Sequence, residues 1–179
     1  MTTSGDTTFN MGANEISEEA FDICAIGSEG ESISDDMYRR AARSLNLIIK
    51  AWGAEEHLWI RTEGTVTLVA GQQSYDISPK PMRITEVRRH VTASGYDTPM
   101  WEWAREQYFA QSNKAAQSIP TSFYYDPQRD TGTLYIWPTA SAATASTMSL
   151  SMTYLRKLEG VDNTSDTPDL PDEWLLALS

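Results

Sequence analysis

The first third of the chain repeats apolar residues with a period near 3.6, which is the spacing of an amphipathic helix. Two such stretches, residues 14–26 and 34–52, are separated by a short glycine-containing segment. Ser34 is a favourable N-cap for the second stretch because its hydroxyl can accept a hydrogen bond from a free backbone N–H. The pattern therefore predicts a helical hairpin over residues 14–57, preceded by a flexible arm of residues 1–13.

After Gly53 the period changes to two, which is typical of strands that bury one face. The first two predicted strands flank residues 70–73 and are expected to pair as a hairpin. The last three are expected to form a meander, with residues 139–146 as a loop before a final strand that buries one face. The predicted strands cover residues 65–69, 74–77, 82–91, 123–126, 133–137 and 147–155.

Two further segments complete the predicted architecture. Residues 102–112 contain no glycine or proline and are predicted to form one inserted helix within an antiparallel β portion of residues 58–158. Residues 159–179 are predicted as an acidic loop and the start of a C-terminal helix, expected to be truncated and to pack with the helical part. The predicted class is α+β, in which the helical hairpin and C-terminal helix pack with an antiparallel sheet or barrel-like portion.

Composition narrows the classes of protein that fit. The 179 residues are 40% hydrophobic, which supports one domain or two small ones with a real core. The apolar runs are much shorter than the roughly 20 residues that a bilayer span requires, so no membrane association is expected. The single cysteine, Cys24, excludes an intramolecular disulfide. No cofactor and no metal are predicted from this composition.

Charge is distributed unevenly along the chain, whose formal net charge is −11. Residues 1–38 contain nine acidic residues and no lysine or arginine, and six more acidic residues follow Lys157. The remaining ten of the 25 acidic residues lie between these ends together with all 14 basic residues, so the central block has a charge of +4. Phosphate would repel both ends of the chain, which argues against a dedicated DNA-binding module.

Catalytic motifs are sparse. Nucleotide-binding, nucleophile-elbow and zinc-protease patterns are absent. A pair of carboxylates for glycoside hydrolysis remains an alternative, with Glu55 or Glu56 acting together with Glu63, although surface solvation is the commoner use of such residues. Asp162 and Asp166 partly match a calcium-loop register, but Thr167 replaces the required glycine, so a polar turn is favoured.

Aromatic and basic residues provide the candidate contact sites. The chain has six tryptophans and eight tyrosines, and exposed aromatic residues are enriched at protein interfaces. Arg88 and Arg89 are the candidate basic contact, for DNA or an acidic subunit, with protection of an edge strand as the alternative. Because they are neighbours on a strand, only one can face a given partner. The candidate subunit or partner interface consists of Trp59, Trp101, Trp103 and Tyr108.

Several segments, in this order, resemble the head-to-tail adaptor, or tail accessory factor, family of short-tailed bacteriophages. The resemblance covers about residues 34–179, and the ordered series is more specific than any single segment. It departs from the family at Trp101-Glu-Trp-Ala104, which replaces a more polar stretch, and at the shortened C-terminal helix. The matching segments are residues 43–52, 58–63, 68–75, 81–84, 120–128, 132–138, 153–156 and 167–174.

The resemblance implies a non-enzymatic virion protein at the tail vertex, assembled in the cytoplasm of the host bacterium. It further implies a ring, expected to be a dodecamer, that binds the portal protein on one side and tail tube, nozzle or tail-fibre proteins on the other. Genomic DNA would pass through the ring without specific contacts, and the ring would help to retain it. The candidate portal-docking segment contains Pro171, Trp174, Leu175 and Leu178. The competing hypothesis is a small virion-associated peptidoglycan glycosidase.

Overall fold

Two helices precede a mainly antiparallel β region with two short helices inserted, in a computed structural model that describes residues 11–24, 34–54, 60–163, 165–171 and 174. The predicted α+β class is confirmed. The chain divides into two compact units, which we call the helical unit (Met1–His57 with Leu158–Ser179) and the β unit (Leu58–Lys157). Most of the predicted flexible arm lies outside the described residues, and its last residue, Ala13, already belongs to a helix.

The helical unit contains α1 (Ala13–Ile23) and α2 (Asp35–Trp52), close to the two predicted helices. At the start of α1, the Glu15 carboxylate accepts a hydrogen bond from the Gly12 N–H at 2.8 Å. At the start of α2, the Ser34 hydroxyl accepts one from the Met37 N–H at 3.4 Å, as the capping pattern predicted. Ile16, Leu45 and Ile49 are buried, so the apolar stripes face the interior of the unit.

The segment of residues 158–171, which we call the strap, returns to the helical unit and is fastened to both helices. Asn46 donates to the Val161 carbonyl at 2.7 Å and accepts from the Val161 N–H at 2.8 Å. Lys50 donates to the Leu158 carbonyl at 2.7 Å, and the Ala13 N–H donates to the Asp166 carbonyl at 2.9 Å. Side chains of α2 thus satisfy backbone groups of a segment that forms no regular ladder.

The β unit is built from two four-stranded sheets. Sheet I has the order β1 (Arg61–Thr67), β10 (Met148–Leu155), β3 (Arg83–Val91), β4 (Asp97–Pro99), with antiparallel pairing throughout. Sheet II has the order β2 (Ser74–Ile77), β8 (Gly132–Trp137), β7 (Ser122–Pro127), β5 (Trp101–Glu102), with β5 parallel to β7. The smaller elements are α3 (Arg105–Phe109), β6 (Gln117–Ser118), β9 (Thr139–Ala140) and α4 (Ala142–Thr147).

The core of the β unit lies between the two sheets. Alternate residues of β8 are fully buried, as expected for a strand with one inward face. Sheet I contributes the same alternation from β10, where Leu150 and Met152 are buried and confirm the predicted face. The register between β10 and β3 shifts at Thr153/Tyr154, and Leu155 beyond the shift is also buried. The core residues are Leu68, Tyr75, Ile77, Ile84, Val87, Met100, Phe123, Leu134, Ile136, Ala140, Leu150 and Met152.

Strand pairing differs from the sequence prediction in two places. The predicted first hairpin is wrong: β1 pairs with β10 in sheet I, whereas β2 pairs with β8 in sheet II. The turn itself exists, with Gly71 at a φ of +74°, but it carries the chain from one sheet to the other. The predicted meander is also wrong, because β7 and β8 pair with each other while β10 lies in sheet I. A turn signal shows that the chain reverses, but it does not specify which strands pair.

The two short helices of the β unit also differ from the sequence prediction. Residues 139–146, predicted as a loop, contain β9 and most of α4, whose start is capped by the Ser141 hydroxyl accepting from the Thr144 N–H at 3.2 Å. The inserted helix covers only Arg105–Phe109 of the predicted residues 102–112, and Glu102 belongs to the edge strand β5 instead. Tertiary pairing with β7 therefore overrides a local preference for helix at that position.

Candidate interaction surfaces

The outer face of sheet II is aromatic. Phe123, Leu134 and Ile136 point into the core, so their neighbours along β7 and β8 point outward. In the register, Tyr124 lies opposite Tyr135, and Ser122 lies between Trp101 on β5 and Trp137 on β8. One face of the sheet therefore collects aromatic side chains from three strands.

Helix α3 covers part of this aromatic face. The Tyr108 ring lies 5.0 Å from the Tyr135 ring and 6.0 Å from the Tyr124 ring, centroid to centroid. Tyr108 is only 2% exposed, and burial raises the pKa of its hydroxyl and that of Tyr124. The side chain predicted as an interface residue is therefore a packing residue, and Tyr108 is removed from the candidate surface.

The predicted interface tryptophans have different environments. Trp103 is half-buried and stacks on Trp137, with ring centroids 5.3 Å apart and planes 28° apart, and the Trp137 indole N–H donates to the Asn113 carbonyl at 3.0 Å. Trp101, by contrast, is 76% exposed. Trp59 lies outside the described residues. Of the three predicted residues that the structure describes, Trp101 therefore offers the largest free aromatic surface.

Tyr96, which the sequence analysis did not single out, is 74% exposed and precedes β4. Between β4 and β5 the chain crosses from sheet I to sheet II at Met100, which is buried in the core. The Met100 N–H donates to the Val87 carbonyl, and the next N–H, of Trp101, donates to the Thr121 carbonyl, both at 2.9 Å. Both exposed aromatic residues thus lie on a backbone that is fastened to the two sheets at once.

The outer face of sheet I is polar, and Arg88 lies near its centre. The Arg88 guanidinium is 3.1 Å from the Glu63 carboxylate, 3.9 Å from that of Glu86 and 4.0 Å from that of Asp97. The residue opposite Arg88 on β10 is Ser151, whereas Arg89 is opposite the buried Leu150. The two arginines therefore belong to opposite faces, and the candidate basic contact is divided between them.

A cleft of about 330 Å³ opens between β1 and β2, the edge strands of the two sheets. Buried Tyr75, Ile77 and Met152 form part of its lining. Polar side chains complete the lining, so the cleft is apolar in part and hydrogen-bonding in part. These polar residues are Thr65, Thr67, Gln72, Asp76 and Ser78.

A second groove, of about 300 Å³, lies between α1 and α2 in the helical unit. Its lining is mainly apolar and includes Ile16, Phe21 and Leu45. On the same helices, Ile23 is 60% and Leu47 67% exposed. The hydrophobic spacing predicted the helices, but it did not distinguish the apolar residues that remain uncovered.

The candidate portal-docking segment is described only in part. The Trp174 ring meets the Trp52 ring edge to face, with centroids 5.3 Å apart, and the Trp174 N–H donates to the Pro171 carbonyl at 3.0 Å. Leu175 and Leu178 lie outside the described residues. The helical unit therefore fixes the position of the chain at Trp174, immediately before the apolar residues of the segment.

The residues considered for chemistry do not assemble a reaction centre in the described part of the chain. Glu63 is on the exposed face of sheet I beside Arg88, and Glu55 and Glu56 lie outside the described residues. The Asp166 carboxylate accepts the N–H groups of Asp162 and Asn163 at 3.0 and 2.8 Å, which lowers its pKa and closes a polar turn. Within the described ranges, no cluster of three or more potential metal ligands occurs and no helix has the length and apolarity to cross a membrane.

Comparison with known proteins gives one match that covers both units. A family model described as SU10 adaptor protein matches residues 15–178. No curated protein matches the chain. The matched region includes α1 from Glu15 onward, all of α2, the whole β unit and the strap.

Proposed function

This chain belongs to the SU10 adaptor protein family, and from that premise we propose that copies of it form a ring between the portal and the tail of a short-tailed bacteriophage. A structural adaptor of a phage is a component of the virion. In this proposal the ring is a dodecamer at the tail vertex, assembled in the cytoplasm of the host. The portal protein binds one side and tail tube, nozzle or tail-fibre proteins bind the other.

The family match over residues 15–178 is the observation that carries this proposal. The two units add physical support, because an adaptor needs separate surfaces for its neighbours and for the components above and below it. The helical unit exposes Ile23 and Leu47, and the β unit exposes Tyr96 and Trp101. Exposed apolar residues of this size favour protein contacts over a role that involves only solvent.

Charge supports a passage for DNA that does not bind it tightly. The acidic residues at both ends of the sequence would repel phosphate. On sheet I, the charge of Arg88 is already met by three carboxylates within 4.0 Å. A DNA contact through Arg88 would have to compete with these ion pairs, so we assign the ring a role in retaining DNA through closure of the vertex.

The portal-docking role is assigned to the segment that follows the Trp52–Trp174 contact. Deleting residues 171–179 would remove this contact as well as the docking residues. Deleting only residues 175–179 retains Trp174 and tests docking by itself. We expect this shorter deletion to weaken portal binding while the thermal unfolding midpoint of the chain stays nearly unchanged.

Cryo-electron microscopy of the protein mixed with its portal tests the proposal directly. A closed ring on the tail-facing side of the portal is the expected result. A chain that stays monomeric and never joins the portal would contradict it. In that case, peptidoglycan cleavage by Glu55→Gln and Glu63→Gln variants would test the glycosidase hypothesis, in which one of the two substitutions abolishes most activity.

A further inference from the structure

The β unit has two open ends, one on each side of the sandwich. Sheet I runs from β1 to β4 and sheet II runs from β2 to β5, so each sheet has one edge strand at each end. The cleft lined by residues of β1 and β2 places those two edges at the same end. The direct connection through Met100 places β4 and β5 together at the other end.

The β4/β5 end projects aromatic side chains. Trp101 and Tyr96 are the two most exposed large apolar side chains among the described residues, at 76% and 74%. Pro99 lies in β4 and has no N–H to donate, so this edge is poorly suited to extend sheet I by backbone pairing. Contacts at this end are therefore expected to be made by side chains.

The β1/β2 end offers a recess. Its cleft of about 330 Å³ has buried apolar lining residues and a polar rim that includes Thr67 and Asp76. An aromatic side chain that enters such a cleft can cover the apolar lining, and the rim can accept the hydrogen bond that an indole or phenol donates. The two ends of the same unit thus differ in shape and in chemistry.

We propose that copies of this chain join head to tail, with the β4/β5 end of one copy seated on the β1/β2 cleft of the next. This inference rests on the proposed ring, for which it supplies the contact between subunits. A ring requires two different surfaces on each copy, because a self-complementary contact produces a closed pair. The two ends of the β unit meet this requirement, and Trp101 is the central anchor of the contact.

Disulfide cross-linking tests which surfaces meet. In a Cys24→Ser background, one sample of the full chain carries Thr98→Cys in β4, which leaves Trp101 in place, and another carries Thr67→Cys, both at exposed positions. Each is mixed with portal, alone or together, and then oxidised. We expect cross-linked dimers in the mixture and at least tenfold fewer when either variant is present alone. Arg39→Cys mixed with Thr98→Cys is the matched control, since Arg39 is also exposed but lies in the helical unit.

The outcomes separate this inference from the proposed function. Rings on the portal without the cross-link between positions 98 and 67, or with efficient cross-linking of one variant to itself, would overturn the head-to-tail contact and leave the adaptor function intact. Failure of the parent chain to form rings on the portal would overturn both. As a second measurement, Trp101→Ala should reduce ring formation at least tenfold, whereas Arg39→Ala, at an exposed position of the helical unit, should change it less than twofold.

Discussion

The outer faces of the two sheets differ although both sheets enclose the same core. Sheet I presents hydroxyl and charged side chains, with Arg88 among three carboxylates. Sheet II presents aromatic rings, and α3 and Trp103 cover most of them. Pairs of exposed charges contribute little to stability, whereas buried aromatic area contributes several kcal/mol. The comparison therefore predicts that sheet II is sensitive to substitution on its outer face and that sheet I tolerates it.

The largest expected effect is on the covered part of sheet II. Tyr108→Ala removes a ring that is 2% exposed and contacts Tyr124 and Tyr135, so it should lower the free energy of unfolding by about 3 kcal/mol. Urea unfolding followed by tryptophan fluorescence measures this. Tyr108→Phe keeps the ring and should cost less than about 1 kcal/mol. A loss below about 1 kcal/mol for the alanine variant would show that α3 does not stabilise the sheet.

The tyrosines of sheet II should make stability sensitive to alkaline pH. Burial raises the pKa of Tyr125 from 10.0 to about 12, and its hydroxyl donates to the Pro81 carbonyl at 2.7 Å. Because the pKa is higher in the folded state, the contribution is complete below about pH 10 and is lost as the pH rises towards 12. We expect a loss of about 1–2 kcal/mol, after allowing for partial solvent contact.

Unfolding in urea between pH 8 and pH 11.5 measures this dependence. Tyr125→Phe should flatten part of the decline, since phenylalanine has no proton to lose. The remaining decline would come from the other tyrosines whose pKa values are raised by burial, which are Tyr38, Tyr75, Tyr108 and Tyr124. An equally steep decline in the variant would assign the sensitivity to other groups.

A smaller effect is expected on the outer face of sheet I. Arg88→Met should lower the free energy of unfolding by about 0.5–1 kcal/mol, because Glu63, Glu86 and Asp97 lose a shared counter-charge. The difference from the parent chain should shrink in 1 M NaCl, where exposed charges are screened. Arg40→Met, which breaks the highly exposed pair with Asp36, should cost less. A loss above about 2 kcal/mol at high salt would show that Arg88 is a packing residue.

The smallest effect on stability is expected at the uncovered end of the aromatic face. Trp101→Ala should change the free energy of unfolding by less than about 0.5 kcal/mol, because the side chain is 76% exposed. The same variant is expected to impair ring formation. Thermal unfolding of the isolated chain separates the two roles. A large destabilisation would mean that Trp101 supports the fold and would weaken its assignment as an interface anchor.

Sequence reasoning located most elements but not their partners. The helices α1 and α2 and strands β2, β3 and β10 follow from periodicity and capping, which act within a few residues. Pairing of β1 with β10 joins residues about 90 positions apart, as in Thr65 opposite Ser151, and no local signal encodes it. The same limit explains the incorrect hairpin and meander.

The candidate surface was predictable in composition but not in exposure. Clustered aromatic residues indicated an interface, yet Tyr108, Trp103 and Trp101 are buried, half-buried and exposed, respectively. The difference arises because α3 places Tyr108 against the sheet and Trp137 stacks on Trp103, whereas Trp101 remains uncovered. The sequence did not predict Tyr96 as a contact residue, because a single tyrosine near a turn belongs to no aromatic cluster. Its exposure follows from the tertiary position of β4.

The discontinuous helical unit has a consequence for synthesis on the ribosome. Asn46 and Lys50 of α2 can form their hydrogen bonds to the Val161 and Leu158 carbonyls only after those residues have been synthesised, 115 and 108 residues later. At about 5–20 residues per second, translation of the intervening segment takes roughly 5–20 s. Sheet I is also incomplete for most of that interval, because β10 lies between β1 and β3 and ends only three residues before Leu158, so α1 and α2 remain without the strap throughout. A chaperone that binds nascent chains would therefore find its target in the helical hairpin, before residues 158–171 emerge.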